Sequence, residues 1–242
     1  MSTADVLEVF DRARNDRGLV VLEGLHTLKH ALRFGAHVHV ALTPARAHLL
    51  DLTRSLAPDV LDQVNALVQD VDRETFGRVS QRAPASPVLA VADTRRRPVE
   101  AIGDGLAVVL YDPRHAGNAG AVIRVAAAAG AAAVIVLGEL DPWSPAVVRA
   151  SAGLHYALEV CHGTWPLALD RPLLAFDAND DTAPFEALPR NAALVFGSER
   201  FGLPDEVLHG CDGTLHIPMR PGVSSMNLAT AVAAGLYGLR RR

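Results

Sequence analysis

The sequence lacks the features that mark membrane proteins, disulfide-linked proteins and cysteine metal sites. No uncharged apolar run reaches the roughly 18 residues of a membrane-spanning helix, and the first residues do not resemble a signal peptide. We therefore expect a cytoplasmic protein without a membrane partner. The two cysteines, Cys161 and Cys211, have no partner at metal-ligand or disulfide spacing. They are expected to be ordinary buried thiols, and no metal site is expected.

Positive charge and aromatic side chains are also scarce. The formal net charge is -4, and aromatic residues make up 5% of the chain. Proteins that coat nucleic acid without sequence preference neutralise many phosphates with lysine and arginine, so any contact with nucleic acid must be local. Few aromatics disfavour a broad stacking platform for single-stranded bases. Folded RNA, recognised by its shape and its phosphates, would be the more plausible nucleic-acid partner.

The pattern along the 242 residues predicts two domains. Residues 1–92 alternate β-rich runs with helix-like stretches, which indicates a small α/β domain. Residues 93–104 contain charges, proline and glycine without apolar periodicity and are predicted to form a linker. Its three arginines, at 95–97, suit either phosphate contact or simple solvation. Residues 105–242 contain continuous apolar runs between helical stretches, which predicts a mostly parallel sheet with helices on both faces.

Ligands of such sheets bind beyond the carboxyl ends of the strands, and the first loop of interest lies there. Residues 111–130 contain a strand end, a glycine-rich turn and a helix expected to begin near Asn118, which suits an N-cap. Arg124 lies about one and a half turns into this helix, near enough to reach the loop mouth. The glycine patterns that bind dinucleotides or nucleoside triphosphates are absent, which argues against a nucleotide-dependent oxidoreductase.

Two later loops also follow predicted strands. Glu199 comes directly after an apolar strand and is flanked by glycines. A carboxylate at such a place needs a partner or a ligand that offsets the cost of burying it. Further along, a strand is expected to end at residues 217–219, and Ser225 and Asn227 suit the start of a long helix.

Together the three loops resemble the three motifs of the SpoU/TrmH family, the RNA ribose 2'-O-methyltransferases of the SPOUT class. Order, spacing and residue types all agree, with two departures: a methionine at 226 where leucine is usual, and a serine at 224, a position often filled by an acidic or other polar residue. Residues 1–92 resemble, less specifically, the family's ribosomal-protein-like RNA substrate-binding domain. The positions that carry the resemblance are Asn118, Gly120 and Arg124, then Gly197, Glu199 and Gly202, then Ile217, Pro218, Met219, Ser225, Met226, Asn227, Leu228 and Ala229.

The resemblance implies a fold, a cofactor and an assembly. The fold would contain a deep trefoil knot at the carboxyl end of the parallel sheet, a rare exception to unknotted topology. The protein would be a homodimer. S-adenosylmethionine would lie bent in the knot, held largely by backbone groups near Leu137, Gly138, Gly197, Ile217, Met219 and Met226.

The resemblance also implies a catalytic set. Arg124 would remove the proton of the ribose 2'-hydroxyl or, as a fixed cation, orient an RNA phosphate and stabilise the developing oxyanion. It could act within its own subunit or across the dimer. The set is completed by side chains that would position Arg124, the loops and the ribose, namely Asn118, Glu199, Ser225 and Asn227. No metal is required.

Several alternatives remain open at this stage. Ribosomal RNA is the first choice of substrate, and transfer RNA is the second. The same fold could methylate a base nitrogen, or could serve as a non-catalytic RNA-binding or ribosome-assembly factor. Nothing in the sequence selects a role in antibiotic resistance.

Overall fold

The computed structural model describes residues 3–80, 82–177, 189–223 and 225–240. The chain forms two compact units: unit 1 consists of Met1–Arg95 and Trp143–Ala157, and unit 2 of Arg96–Pro142 and Leu158–Arg242. The change of unit after Arg95 falls inside the predicted linker. Residues 143–157, by contrast, lie in unit 1 although the sequence placed them in the second domain. No helix among the described residues combines the length and apolar character that crossing a membrane requires.

Unit 1 is a four-stranded sheet with helices packed against it. Strand β4 lies between β1 and β2, antiparallel to both, and β3 pairs in parallel with β2. The elements are α1 (Thr3–Asn15), β1 (Leu19–Glu23), α2 (Leu25–Arg33), β2 (Val38–Thr43), α3 (Arg46–Leu56), α4 (Leu61–Leu67), β3 (Val68–Asp70), α5 (Arg73–Val79), β4 (Leu89–Asp93) and α7 (Pro145–Ala150), with single 3-10 turns at Pro58–Val60 and Leu154–Tyr156.

Both faces of this sheet are buried. Consecutive residues Val20, Val21 and Leu22 of β1 are all buried, and successive strand residues point to opposite faces. One face packs against α1 and α5 through a cluster that includes Phe10 and Phe76. The near-continuous apolar runs of the sequence are therefore explained by helices that cover the sheet on two sides.

The segment 143–157 belongs to unit 1 because it is tied there by specific contacts. Arg149 Nη1 lies 2.6 Å from the Glu23 carboxylate, whose side chain is only 9% exposed. The Tyr156 hydroxyl donates to the Asp93 carbonyl at 2.7 Å. His30 Nδ1 lies 2.7 Å from the Ala152 carbonyl oxygen. No sequence periodicity signals such long-range contacts, so the sequence could not assign this segment.

The three linker arginines make structural contacts. Arg95 donates to the carbonyls of Phe34 and Tyr156 within unit 1. Within unit 2, Arg96 forms a bidentate pair with Asp141 at 2.8 and 2.9 Å, and Arg97 lies 3.3 Å from the Glu159 carboxylate. The three arginines therefore have a structural role, independent of any contact with phosphate.

Unit 2 contains a six-stranded sheet in the order β10-β8-β9-β5-β6-β7. Every pair is parallel. The elements are β5 (Ala107–Tyr111), α6 (Ala116–Ala128), β6 (Ala133–Leu137), β7 (Glu159–Gly163), β8 (Leu173–Phe176), β9 (Ala193–Phe196), α8 (Asp205–His209), β10 (Gly213–Leu215) and α9 (Leu228–Arg240), with a 3-10 turn at Val99–Ala101. The predicted α/β class with a parallel sheet is confirmed.

The strand order reverses beside β5. Strands β6 and β7 follow on one side of it, whereas β9, β8 and β10 lie on the other. Parallel α/β sheets bind ligands at such a reversal, beyond the carboxyl ends of the strands. The fold therefore directs attention to the loops after β5, β8 and β9.

Two predicted boundaries were wrong. Helix α6 begins at Ala116 with His115 as N-cap, so Asn118 lies in its first turn and is not the cap. Strand β10 ends at Leu215, short of the predicted end at residues 217–219. The second difference has a physical reason, because Pro218 has no N–H to donate to a neighbouring strand.

A glycine in unit 1 tests the packing of the 143–157 segment. Gly153 has a φ of 76°, and a Cβ there would overlap the Thr27 carbonyl. We expect Gly153→Ala to destabilise the protein by roughly 3 kcal/mol, since it adds a clash to left-handed strain. The control is Gly222→Ala, with a φ of 88° and open space around the new Cβ, which should cost only about 1 kcal/mol. Equal denaturation midpoints would contradict this packing.

Candidate active site

A cleft of about 380 Å³ opens beyond the carboxyl ends of β8 and β9. Its volume is in the range of small-molecule sites. Phe176 and Phe196, the last residues of the two strands, stack with ring centroids 4.4 Å apart and planes 9° apart. The lining residues are Phe176, Asp177, Phe196, Gly197, Ser198, Glu199, Arg200, Gly202, Leu203, Ile217, Met219, Ser225, Met226, Leu228 and Ala231.

The loop after β9 is a tight turn that folds back over its own start. Ser198 and Gly202 exchange two backbone hydrogen bonds, at 3.0 and 3.1 Å, and Gly202 has a φ of 65°. A Cβ on Gly197 would overlap the backbone of Gly202 and Leu203. Residue 197 must therefore be glycine, because the backbone crosses it too closely for a side chain. Glu199 is in this turn and lies at the cleft.

Glu199 is held by two donors, one from the loop after β5 and one from the first turn of α6. Asn118 Nδ2 donates to Glu199 Oε1 at 2.7 Å, and the Arg114 backbone N–H donates to Oε2 at 3.3 Å. Burial raises the pKa of Glu199, but hydrogen bonds from Asn118 and from the backbone N–H groups of Glu199 and Arg114, together with the nearby His115, lower it by more, so the pKa lies below its usual value. Glu199 is therefore a carboxylate at neutral pH, and its predicted need for a partner is met.

Asn227 links this pair to the third loop. Its Nδ2 donates to Asn118 Oδ1 at 3.2 Å. Its Oδ1 accepts from the backbone N–H groups of Ala229 and Thr230, at 3.0 and 3.4 Å, and so caps α9. Asn118, Glu199 and Asn227, one from each predicted motif, thus form one hydrogen-bonded chain, which we call the motif network.

The other two predicted catalytic residues are outside the motif network. Ser225 is exposed and lines the cleft. Arg124 is exposed on α6 and is not among the lining residues. In the described part of the chain, no hydrogen bond or ion pair involves its guanidinium. Arg124 is therefore accessible to a partner that this chain does not itself provide.

The six predicted cofactor residues fall in two places. Gly197, Ile217, Met219 and Met226 line the cleft. Leu137 and Gly138 are at the end of β6 and do not line it. Gly138 has a φ of 104°, and a Cβ there would lie 2.9 Å from Asp112 Oδ1, so this strand end is also tightly packed. The cofactor role of all six remains a prediction.

Sequence reasoning missed several cleft residues. Phe176, Asp177, Arg200 and Leu203 line the site but belong to none of the chosen motif positions. The run that became β8 was identified as a strand, and the rule that ligands bind beyond strand ends could have pointed to Phe176 and Asp177. The stacking of Phe176 on Phe196 depends on strand order, which the sequence alone does not supply.

Comparison with known proteins defines the class to which this fold and site belong. The profile of the SpoU rRNA methylase family matches residues 105–237. The chain belongs to the SpoU rRNA methylase family, and the resemblance found from the motifs is confirmed.

Individual relatives resemble the chain along almost its whole length. It is 30% identical to the 23S rRNA (uridine(2479)-2'-O)-methyltransferase of Streptomyces viridochromogenes, over 93% of this chain and 83% of that one. It is 26% identical to the 23S rRNA (guanosine(2553)-2'-O)-methyltransferase RlmP of Bacillus subtilis, over 95% and 91%. The crystal structure of the SpoU methyltransferase AviRb from Streptomyces viridochromogenes with AdoMet matches with a TM-score of 0.76 and 25% identity, over 98% and 97%.

The backbone crossing at Gly197 gives a first test of the cleft. We expect Gly197→Ala to lower the affinity for S-adenosylmethionine at least about tenfold, or about 1.4 kcal/mol, because the new Cβ displaces the Gly202 turn. Calorimetric titration measures the affinity. The control is Gly238→Ala on α9, where a Cβ meets open space and cofactor binding should be unchanged. Wild-type affinity in the Gly197 variant would show that the cofactor does not use this turn.

The motif network gives a second test through its pH dependence. The pKa of Glu199 is lowered in the folded protein. The ionised side chain therefore stabilises the folded state at pH values above its pKa in the unfolded chain, about 4.3. This stabilisation is lost as the pH falls through the folded-state pKa. Glu199→Gln places an amide N–H against the Arg114 N–H. The variant should therefore have a lower melting temperature than wild type at pH 7. The difference should shrink as pH falls below about 4. A difference in melting temperature that stays constant with pH would contradict the ionised network.

Proposed function

We propose that this chain transfers a methyl group from S-adenosylmethionine to a ribose 2'-hydroxyl of RNA, with ribosomal RNA as substrate. The observation that carries the proposal is the motif network, which joins all three family motifs at the mouth of one cleft of suitable size. The relatives named above are 23S rRNA 2'-O-methyltransferases, which favours ribosomal over transfer RNA. A cytoplasmic location is part of the same proposal.

The cleft suits the proposed cofactor. S-adenosylmethionine supplies an electrophilic methyl group on a positively charged sulfur. The cleft offers apolar surface from the Phe176–Phe196 stack, Ile217 and Met226, with the Glu199 carboxylate at one side. Apolar walls with few polar groups are typical of small-molecule sites. An ionised carboxylate in the lining also favours a cationic ligand electrostatically.

Arg124 is the proposed catalytic residue. Transfer forms a bond between the ribose O2' and the methyl carbon, breaks the sulfur–carbon bond so that its electron pair stays on the sulfur of S-adenosylhomocysteine, and passes the hydroxyl proton to water. Arginine stays protonated in nearly all protein environments, so we favour Arg124 as the cation that orients a phosphate and stabilises charge on O2'. Arg124 has no hydrogen-bond or ion-pair partner within the described chain, so its guanidinium is available to bind a phosphate. Action as the proton acceptor is the alternative, and either role could cross a dimer interface.

The motif network positions the loops around the reacting atoms. Asn118 and Asn227 use both ends of their amides, and Glu199 accepts from two donors. The three loops are therefore fixed relative to one another before substrate arrives, which reduces the entropy lost on reaching the reactive geometry. Ser225 lies exposed in the cleft lining and is proposed to contact the ribose.

A trefoil knot and a homodimer complete the proposal. The knot is supported by the family membership. The dimer is supported by the family resemblance and by exposed apolar side chains in unit 2, including Val223 at 50% and Tyr237 at 44% exposure. Size measurement in solution tests the dimer.

Substitution of Arg124 tests the reaction. With labelled S-adenosylmethionine and unmodified ribosomal RNA, wild type should label a 2'-O-methyl nucleoside. Arg124→Ala should lower kcat by roughly 10²- to 10³-fold, the usual cost of losing an oxyanion donor, with unchanged cofactor affinity. Arg124→Lys should keep part of the activity if the charge alone matters. Arg190→Ala, an exposed arginine in the turn before β9 and so at the end of that strand away from the cleft, serves as control.

Other outcomes separate the alternatives. Label on a base nitrogen would reject the ribose as acceptor. Cofactor binding without label on any RNA would favour a non-catalytic RNA-binding or assembly factor. Label in transfer RNA but not in ribosomal RNA would keep the reaction and reject the proposed substrate.

A further inference from the structure

A cluster of metal-ligating side chains lies in unit 1, outside both the cleft and the motif network. His37 Nδ1 lies 2.9 Å from Asp93 Oδ2, and His39 Nε2 lies 2.6 Å from Asp93 Oδ1. The two imidazole rings meet edge to face with centroids 4.5 Å apart. One ligand atom from each of the three residues lies within 4.8 Å of the other two.

The local backbone explains how these side chains come together. His37 directly precedes β2 and His39 is its second residue. Both are exposed and Val38 between them is buried, so the two imidazoles project from the same side of the chain. The pairing of β2 with β4 shifts register between Val38 and Val40, which makes His39 the extra residue of a β-bulge. Bulges re-aim side chains and occur preferentially near functional sites. The Asp93 N–H donates to the His37 carbonyl at 3.0 Å, which fixes the carboxylate beside both rings.

We propose that His37, His39 and Asp93 bind a divalent transition-metal ion, with Zn²⁺ as the ion that fits best. Two imidazole nitrogens and a carboxylate oxygen are ligands that Zn²⁺ accepts at about 2.0–2.2 Å. The present separations are those of hydrogen bonds, and a metal between the groups would replace the protons they share. Such a set rejects Mg²⁺ and Ca²⁺, which require oxygen ligands.

The electrostatics of the cluster favour a cation. The Asp93 carboxylate faces both imidazole rings, so an ion held between the three side chains would lie beside an acidic oxygen ligand. The side chain of Asp93 is 45% exposed and those of His37 and His39 are 70% and 38% exposed. An ion can therefore enter directly from solvent and can retain water as a further ligand.

A neighbouring cavity gives room for that further ligand. His39 and Asp93 line a cavity of about 280 Å³ together with Arg12 and Asp16. Arg12 and Asp16 pair with each other at 3.4 Å, so the cavity does not add a large net charge that would repel a cation. Three protein ligands leave at least one coordination position open in a tetrahedral zinc site, and a water molecule or a small anion could occupy it.

The proposed ion would connect two antiparallel strands. His37 directly precedes β2, His39 is its second residue, and Asp93 is the last residue of β4. The strands β2 and β4 are the two central strands of the unit 1 sheet. A ligand that binds only the folded state stabilises it, so metal binding should raise the melting temperature of the protein. This stabilisation does not depend on methyl transfer.

The test is Zn²⁺ binding to the full-length protein after treatment with a chelator. Calorimetric titration should detect one site in wild type, and Zn²⁺ should raise the melting temperature. Asp93→Asn and, separately, His39→Gln should each weaken binding roughly 100-fold or more, beyond the 10- to 100-fold typical of residues that only support ligands. His48→Gln, an exposed histidine on α3, is the matched control and should bind like wild type.

Two further measurements keep the test decisive. Substitution with Co²⁺ should give visible absorption bands in wild type that disappear in His39→Gln. Circular dichroism of each variant without metal shows whether the variant is folded. If Asp93→Asn is unfolded, His39→Gln, whose side chain is on the strand surface, is the variant that tests the proposal. Absence of binding to wild type, or equal binding by wild type and His39→Gln, would overturn the proposal.

Discussion

The active-site region depends on one hydrogen-bonded chain, from Glu199 through Asn118 to Asn227 and into the first turn of α9. Each asparagine donates with its amide nitrogen and accepts with its oxygen, so every link fixes the direction of the next. Removing Asn118 or Glu199 would leave a donor or acceptor unpaired in a partly buried place, which costs more than the bond itself contributes. Three loops that are far apart in sequence are thereby held as one unit.

A second constraint is steric and acts on the backbone. The turn after β9 crosses over Gly197 so closely that no side chain fits there. This crossing places Glu199 within reach of Asn118 and leaves space above the Phe176–Phe196 stack. The steric and the polar constraints support each other, because the network holds the turn in place while the turn presents the carboxylate that the network needs.

The sequence predicted those features that are encoded locally. Continuous apolar runs predicted the parallel sheet, and glycines and polar residues after strands predicted the loops that carry Asn118, Glu199 and Asn227. Long-range features were not predictable. Asn118 suited an N-cap, yet its side chain serves Glu199, so tertiary contact overrode local preference. The place of residues 143–157 in unit 1 and the bulge beside His39 both depend on pairings between distant segments.

Arg124 differs from the three residues of the motif network. The motif network satisfies its own donors and acceptors and is complete without substrate. Arg124 has no partner in the described chain, and a guanidinium with five donors gains most from a planar anion such as phosphate. In the proposed reaction, the site is therefore preorganised for the cofactor but is electrostatically incomplete until a phosphate arrives. RNA would then supply both the acceptor hydroxyl and the anion that orients Arg124, which makes methyl transfer dependent on correct binding of the substrate backbone.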